Sequence, residues 1–197
     1  MEQRRILFIA SIQSYFDLLI EEQGKYLLSD VSVNDPEPTL EGMSQAVNIA
    51  TTIHSHIKKD IYKPISKIYT SPLKRALAVS AELEKTFYAP IYATDELLGR
   101  LGTFYANIRS NYDDIKQEYP TVNLRGIHST TIPWQSTPEK ETFIIKRINE
   151  FIERITENSN PNETIAVITH PDVLSIYTGR VIRCGEMLYH DIPQTPL

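Results

Sequence analysis

Ile65-Ser66-Lys67-Ile68-Tyr69-Thr70-Ser71-Pro72-Leu73-Lys74-Arg75-Ala76 changes character half-way along. Ile65 to Thr70 is β-branched and aromatic, a strand by composition. Ser71-Pro72 then supplies a capping residue followed by proline, which opens a helix, and Ala76, Val79, Leu83 and Phe87 recur on one side of it. A strand that runs straight into a helix is half of a βαβ unit. The same alternation continues on both sides. Upstream, Ile6-Leu7-Phe8-Ile9-Ala10 is a short continuous apolar run, as in a strand covered on both faces. Residues 11–38 read as irregular and end in the turn-forming Asn34-Asp35-Pro36-Glu37-Pro38. Thr39 then caps a helix with Ala46, Ile49, Ala50, Ile53 and Ile57 on its inner face. Downstream come a short strand at Ile91 to Ala93 and an irregular stretch over 95–137. A long helix from Pro138-Glu139 follows, with Ile145, Ile148, Ile152 and Ile155 inward, and then a buried strand at Thr164 to Thr169. A helix from Asp172 to Arg183 and a last strand from Glu186 to Ile192 complete the reading. This order predicts an α/β three-layer sandwich, a mostly parallel sheet flanked by helices.

The 197 residues suffice for one sizeable core, so 1–197 reads as a single domain with 95–137 as an insertion or lid. A net charge of −5 argues against a nucleic-acid binder, and no apolar run approaches the length of a membrane span. Arg4-Arg5 before the first apolar run does not make a signal peptide, because the run is too short and Asp17, Glu21 and Glu22 follow; a cytoplasmic protein is expected. A single cysteine, Cys184, cannot form an internal disulfide, and the five histidines are too scattered for a zinc site, so no metal is expected.

Ligands of open α/β sheets bind beyond the carboxyl ends of the strands. Three such ends are readable: Ser11-Ile12-Gln13-Ser14, Ser71 to Arg75, and His170-Pro171. An arginine one turn into a helix and a histidine just past a strand can converge on one crevice, where helix amides help to hold an anion.

Four segments, in order and properly spaced, resemble the histidine phosphatase superfamily, the phosphoglycerate-mutase-like proteins. Ile68 to Ala76 resembles its "IYSSPLxRA" segment and Asp35 to Ala46 its "DxPLTxxGxxQA" segment. Glu139 with Arg147 resembles "GES…R", and Val167-Ile168-Thr169-His170 resembles "VVTHG". The resemblance implies phosphomonoester chemistry without metal or organic cofactor, and it is compatible with a homodimer. It also implies an "RHG" at the end of the first strand, with the histidine as phosphoryl acceptor. Aligning Ile6 to Ala10 on that strand puts Ser11 at the arginine, Ile12 at the histidine and Gln13 at the glycine; no histidine precedes His54. An isoleucine has no lone pair, so phosphohistidine chemistry cannot pass through it. The family's acid falls on Leu98, or on Gly99 with a gap.

What the resemblance leaves is Arg75 and His170 as remnants of the catalytic set, with Ser11, Ser14, Arg75, His170 and Arg100 as the expected ligand-binding residues. Three readings follow. A degenerate phosphatase-like protein would bind an anionic or phosphorylated small molecule, or a protein partner. An enzyme of altered chemistry would use His170 as acid or base and Arg75 as anion clamp, with Ile12 lining a less polar site, or the chain would be a weak phosphomonoesterase. A scaffold would carry these residues only as relics.

Overall fold

Residues 4–23, 33–128, 137–157, 159–160 and 162–192 are described by a computed structural model of the chain. Its strands are β1 (Arg4–Ala10), β2 (Ile65–Thr70), β3 (Ile91–Thr94), β4 (Asn123–Gly126), β5 (Thr164–Thr169) and β6 (Met187–Ile192). They form one sheet in the order β4-β3-β2-β5-β1-β6. Every neighbouring pair is parallel except β1 with β6. The helices are α1 (Tyr15–Gln23), α2 (Leu40–Lys58), α3 (Lys74–Phe87), α4 (Tyr112–Glu118), α5 (Glu141–Thr156) and α6 (Pro171–Thr178).

Side chains of a strand alternate between faces, and that alternation divides the core in two. Leu7, Ile9, Ile68, Ala166 and Ile168 pack with α2 and α3. Ile6, Phe8, Ala10, Ile165 and Val167 pack with α5 and α6 on the other face. The predicted three layers are therefore present. On α5 the buried stripe is Ile144, Ile148, Phe151, Ile152 and Ile155; burying each such side chain contributes about 1.5–3 kcal/mol relative to exposure. Ile145, expected inward, is exposed, and Ile144 takes its place one position earlier on the helix.

Helix starts differ in how far their caps come from. Thr39 caps α2 as expected, its hydroxyl accepting from Gly42 N at 2.9 Å. A Cβ on Gly42 would collide with the Gln13 carbonyl, so α2 begins pressed against the loop that leaves β1. For α3, Ser71 is not the cap: the helix starts at Lys74, and Leu73 before it makes no side-chain cap bond. Asp35 supplies the acceptor from 39 residues away, taking Lys74 N on Oδ1 at 2.9 Å. Helix α6 is shorter than expected and ends where Gly179 turns into the left-handed region (φ 70°).

Three elements lie in stretches that read as irregular: α1, directly after the β1 loop, and α4 and β4 within the 95–137 excursion, where β4 adds an edge strand to the sheet. Residues 95–128 are tied down by Arg109, 1% exposed, which donates to Asp95 (2.7 and 3.3 Å) and to the His128 carbonyl at 2.6 Å. Residues 129–136, with Trp134, lie outside the described residues. No helix among those described is long and apolar enough to cross a membrane.

Candidate functional site

Strand order explains the centre of the site. Because β5 lies between β2 and β1, the residue leaving β5 is flanked by the residues leaving its two neighbours. The register sets Ala10 beside Thr169 and Thr70 beside Ile168, so Ser11, His170 and Ser71 come out side by side. His170 Nδ1 lies 3.1 Å from Ser11 Oγ, and its Nε2 lies 2.8 Å from Ser71 Oγ. All three residues are buried. Burial, reinforced by the charges of Arg75 and then Arg147, holds the imidazole pKa well below its ordinary value, so His170 is neutral at pH 7.

A cavity of about 130 Å³ opens over this row. Ser11, Arg75, Asn107 and His170 form its polar wall; Phe16, Phe104 and Pro171 form the apolar one. Asp17, Asp172 and Cys184 complete it. Phe16 and Phe104 meet edge to face, 4.9 Å between centroids. Asp17 is oriented by Ser14, whose N and Oγ both donate to it at 2.7 Å. Asp172 accepts from Arg100 N at 3.0 Å. Burial, and then the Asp17 carboxylate, push the Cys184 thiol up to about 12, so it carries no thiolate at neutral pH. The larger hollow, about 460 Å³, lies elsewhere, beside Tyr69, Tyr92 and Phe151. Its Arg154 is already paired with Glu96.

Arg75 enters from the first turn of α3. It donates to the Ala106 carbonyl at 3.0 Å and to Asn107 Oδ1 at 2.7 Å. Both partners are neutral, and no carboxylate pairs with Arg75 among the described residues. Asp35, whose carboxyl feels the Arg75 charge, is itself buried with its pKa raised by desolvation, and accepts from Ser110 N and Oγ at 2.9 and 2.7 Å. Asn107 reaches Arg75 because Gly99 has no side chain: a Cβ there would stand 2.6 Å from Asn107 Oδ1. The Asn107 amide nitrogen in turn donates to Arg100 O at 2.9 Å.

The structure thus brings Ser11, Arg75 and His170 together. It does not bring Ser14 or Arg100 to the cavity wall. Ser14 acts on Asp17, and the Arg100 side chain turns outward to the Glu139 carbonyl at 2.9 Å. Nor does Ile12 line the cavity. Its side chain, 0% exposed, belongs to the α2–α3 core. Glu139 and Arg147 form a two-pronged pair at 2.9 and 3.1 Å, and Arg147 also donates to the carbonyls of Glu96 and Leu98. That pair holds the segment in which the acid was sought.

Over residues 32–197 the sequence matches the histidine phosphatase superfamily, branch 1. The chain belongs to this superfamily. No curated protein sequence matches it. Solved structures share its fold at low identity. One is described as mycobacterial hydrolase 1: TM-score 0.64, 12% identity, covering 96% of this chain and 91% of that one. A putative alpha-ribazole-5'-P phosphatase from Escherichia coli K-12 matches with TM-score 0.63 and 20% identity, over 97% and 91%. Bacillus stearothermophilus YhfR gives 0.63 and 14%, over 97% and 92%. At such identities the likeness establishes the fold alone. Within that superfamily fold, the row Ser11–His170–Ser71 stands at the strand ends where the crevice of an open α/β sheet lies.

Proposed function

We propose that this member of the superfamily does not work through phosphohistidine, and that its pocket holds a small, singly charged anionic group at Arg75. One observation carries the reading: a buried arginine whose hydrogen-bond partners are both neutral. No carboxylate is hydrogen-bonded to Arg75 among the described residues, so the guanidinium is left to pair directly with an anion in the cavity. Asp17 and Asp172 on the same wall argue against a dianion such as a phosphomonoester and for a carboxylate. The sequence supports the first half of the proposal, since no histidine precedes His54 and Ser11 stands beside His170.

The test is a titration of the parent and of Arg75→Met with sodium acetate and with inorganic phosphate, read by thermal unfolding. Acetate should raise the parent's Tm saturably and leave Arg75→Met unmoved, because only a ligand of the native state shifts the transition. Equal shifts in both proteins would refute the site. Stronger stabilisation by phosphate, with turnover of p-nitrophenyl phosphate, would return the pocket to phosphomonoesters. A second reading, an enzyme of altered chemistry, is favoured by the hydrogen bond between Ser11 and His170.

A further inference from the structure

We propose that Ser11 is a nucleophile with His170 as its general base, and that the cavity hydrolyses short-chain carboxylic esters or thioesters. The proposal rests on the reading of Arg75 as the anion-holding group and names the reaction that delivers the anion.

The geometry begins with the imidazole. Its two nitrogens face two hydroxyls, at 3.1 Å on the Ser11 side and 2.8 Å on the Ser71 side. A neutral ring is a donor at one nitrogen and an acceptor at the other. When Nε2–H donates to Ser71 Oγ, Nδ1 presents its lone pair to the Ser11 hydroxyl. In that tautomer the three groups have the arrangement of an activated serine: nucleophile, base, and a third group that accepts the base's other N–H. Ser71 is the positioning residue; it is fully buried and absent from the cavity wall, whereas Ser11 and His170 both line it.

The register of the chain agrees. Ser11 faces His170 across the pocket while Ile12 turns into the α2–α3 core. Counted by what faces the cavity, the residue beside the late histidine is Ser11, one position before the one that the strand alignment selects. Its hydroxyl has the lone pair that isoleucine lacks.

Charge and size choose the substrate. A tetrahedral adduct of an ester carries one negative charge, for which Arg75 is the one cation on the wall among the described residues; a phosphomonoester would set twice that charge against Asp17 and Asp172. About 130 Å³ is the room of roughly four liquid waters. With Phe16, Phe104 and Pro171 on one side, that space suits a short acyl chain.

The step balances without an added reagent. The Ser11 O–H bond breaks and its proton goes to Nδ1, while Oγ bonds to the acyl carbon. The carbonyl electron pair moves to oxygen, and Arg75 stabilises that oxyanion. Collapse breaks the bond to the leaving alkoxide or thiolate, which takes the proton from Nδ1. Water then adds to the acyl-serine and gives a proton to Nδ1; the Oγ–carbon bond breaks and Ser11 recovers its proton. The products are an alcohol or thiol and a carboxylic acid, which releases its proton to solvent and becomes the singly charged carboxylate that Arg75 is read to hold.

The whole chain is treated with a fluorophosphonate and mapped by peptide mass spectrometry, and p-nitrophenyl acetate hydrolysis is followed in the parent, Ser11→Ala and Ser11→Cys. The adduct should sit on Ser11. Ser11→Ala should lose about a hundredfold or more in kcat, and Ser11→Cys should form an acyl adduct at the same position. With a neutral base, parent activity should persist below pH 6.5 instead of falling with the ordinary titration of histidine. A label elsewhere, or unchanged hydrolysis by Ser11→Ala, overturns the assignment. Acetate titration of Ser11→Ala separates the two proposals. If acetate still stabilises it and the parent takes no label, the nucleophile fails and the anion site stands. If acetate stabilises neither protein, the anion site fails.

Discussion

Two buried arginines, Arg75 and Arg109, and the half-buried Arg147 serve two different regions of the fold. Arg109 and Arg147 hold the segment between β3 and α5, and each grips a carboxylate: Asp95 at 2.7 Å for one, Glu139 at 2.9 Å for the other. Arg75, at the carboxyl ends of the strands, is tied only to a backbone carbonyl and an amide oxygen. The first two are complete within the chain. The third is paired with no carboxylate among the described residues, and that contrast is what sets it apart as the arginine proposed to meet a ligand.

Removing a partner from each region is the strongest way to break that contrast. Arg109→Met removes a buried guanidinium and leaves the partly buried Asp95 without its counter-charge, which should cost about 3 kcal/mol and lower the Tm on the order of 10 °C. Arg75→Met strands no carboxylate and should cost under ~1.5 kcal/mol, the loss of ordinary hydrogen bonds. Calorimetry of the two variants side by side decides; if Arg75→Met is the less stable, its charge is structural after all.

The next effect is a pH dependence. His170 is neutral in the folded chain and protonates in the unfolded one below about pH 6.5. The unfolded state therefore binds the extra proton, so stability is full above that pH and falls below it, by at most ~1.4 kcal/mol per unit. Arg75 is one cause of the low pKa. In Arg75→Met the histidine should titrate closer to its ordinary value by NMR and the acid-side loss should shrink, while Arg109→Leu should leave the histidine where it is. An unmoved His170 in Arg75→Met would mean that the guanidinium field does not reach it.

The smallest effect concerns Asn107. In Asn107→Ala, Arg75 recovers a free N–H, and acetate should bind roughly threefold to tenfold tighter, about the worth of one hydrogen bond. Weaker binding would show that the amide contacts the ligand itself.

Much of the layered fold was legible because periodicity reports burial directly. β1, β2, β5 and the inner faces of α2 and α3 read correctly from apolar spacing. The edge strand β4 and helix α1 did not: Asn123–Gly126 is short and half polar, and α1 lies in a stretch without strong turn signals. The site was legible at Arg75 and His170, which stand in motifs, and blurred at the end of β1. There, a step of one residue moves a side chain from one face of a strand to the other. That is the difference between Ile12 in the core and Ser11 in the pocket. Ser71 illustrates a related ambiguity: serine before proline has the chemistry of a cap, and only the β2–β5 pairing reveals that its hydroxyl faces His170. Asn107 left no local signal, since its role depends on an empty space at Gly99.

That empty space couples two positions in the chain's own history and future. A side chain at 99 would meet the end of the Asn107 side chain, so an acid acquired there makes Asn107 turn aside or shrink, and either change unties it from Arg75.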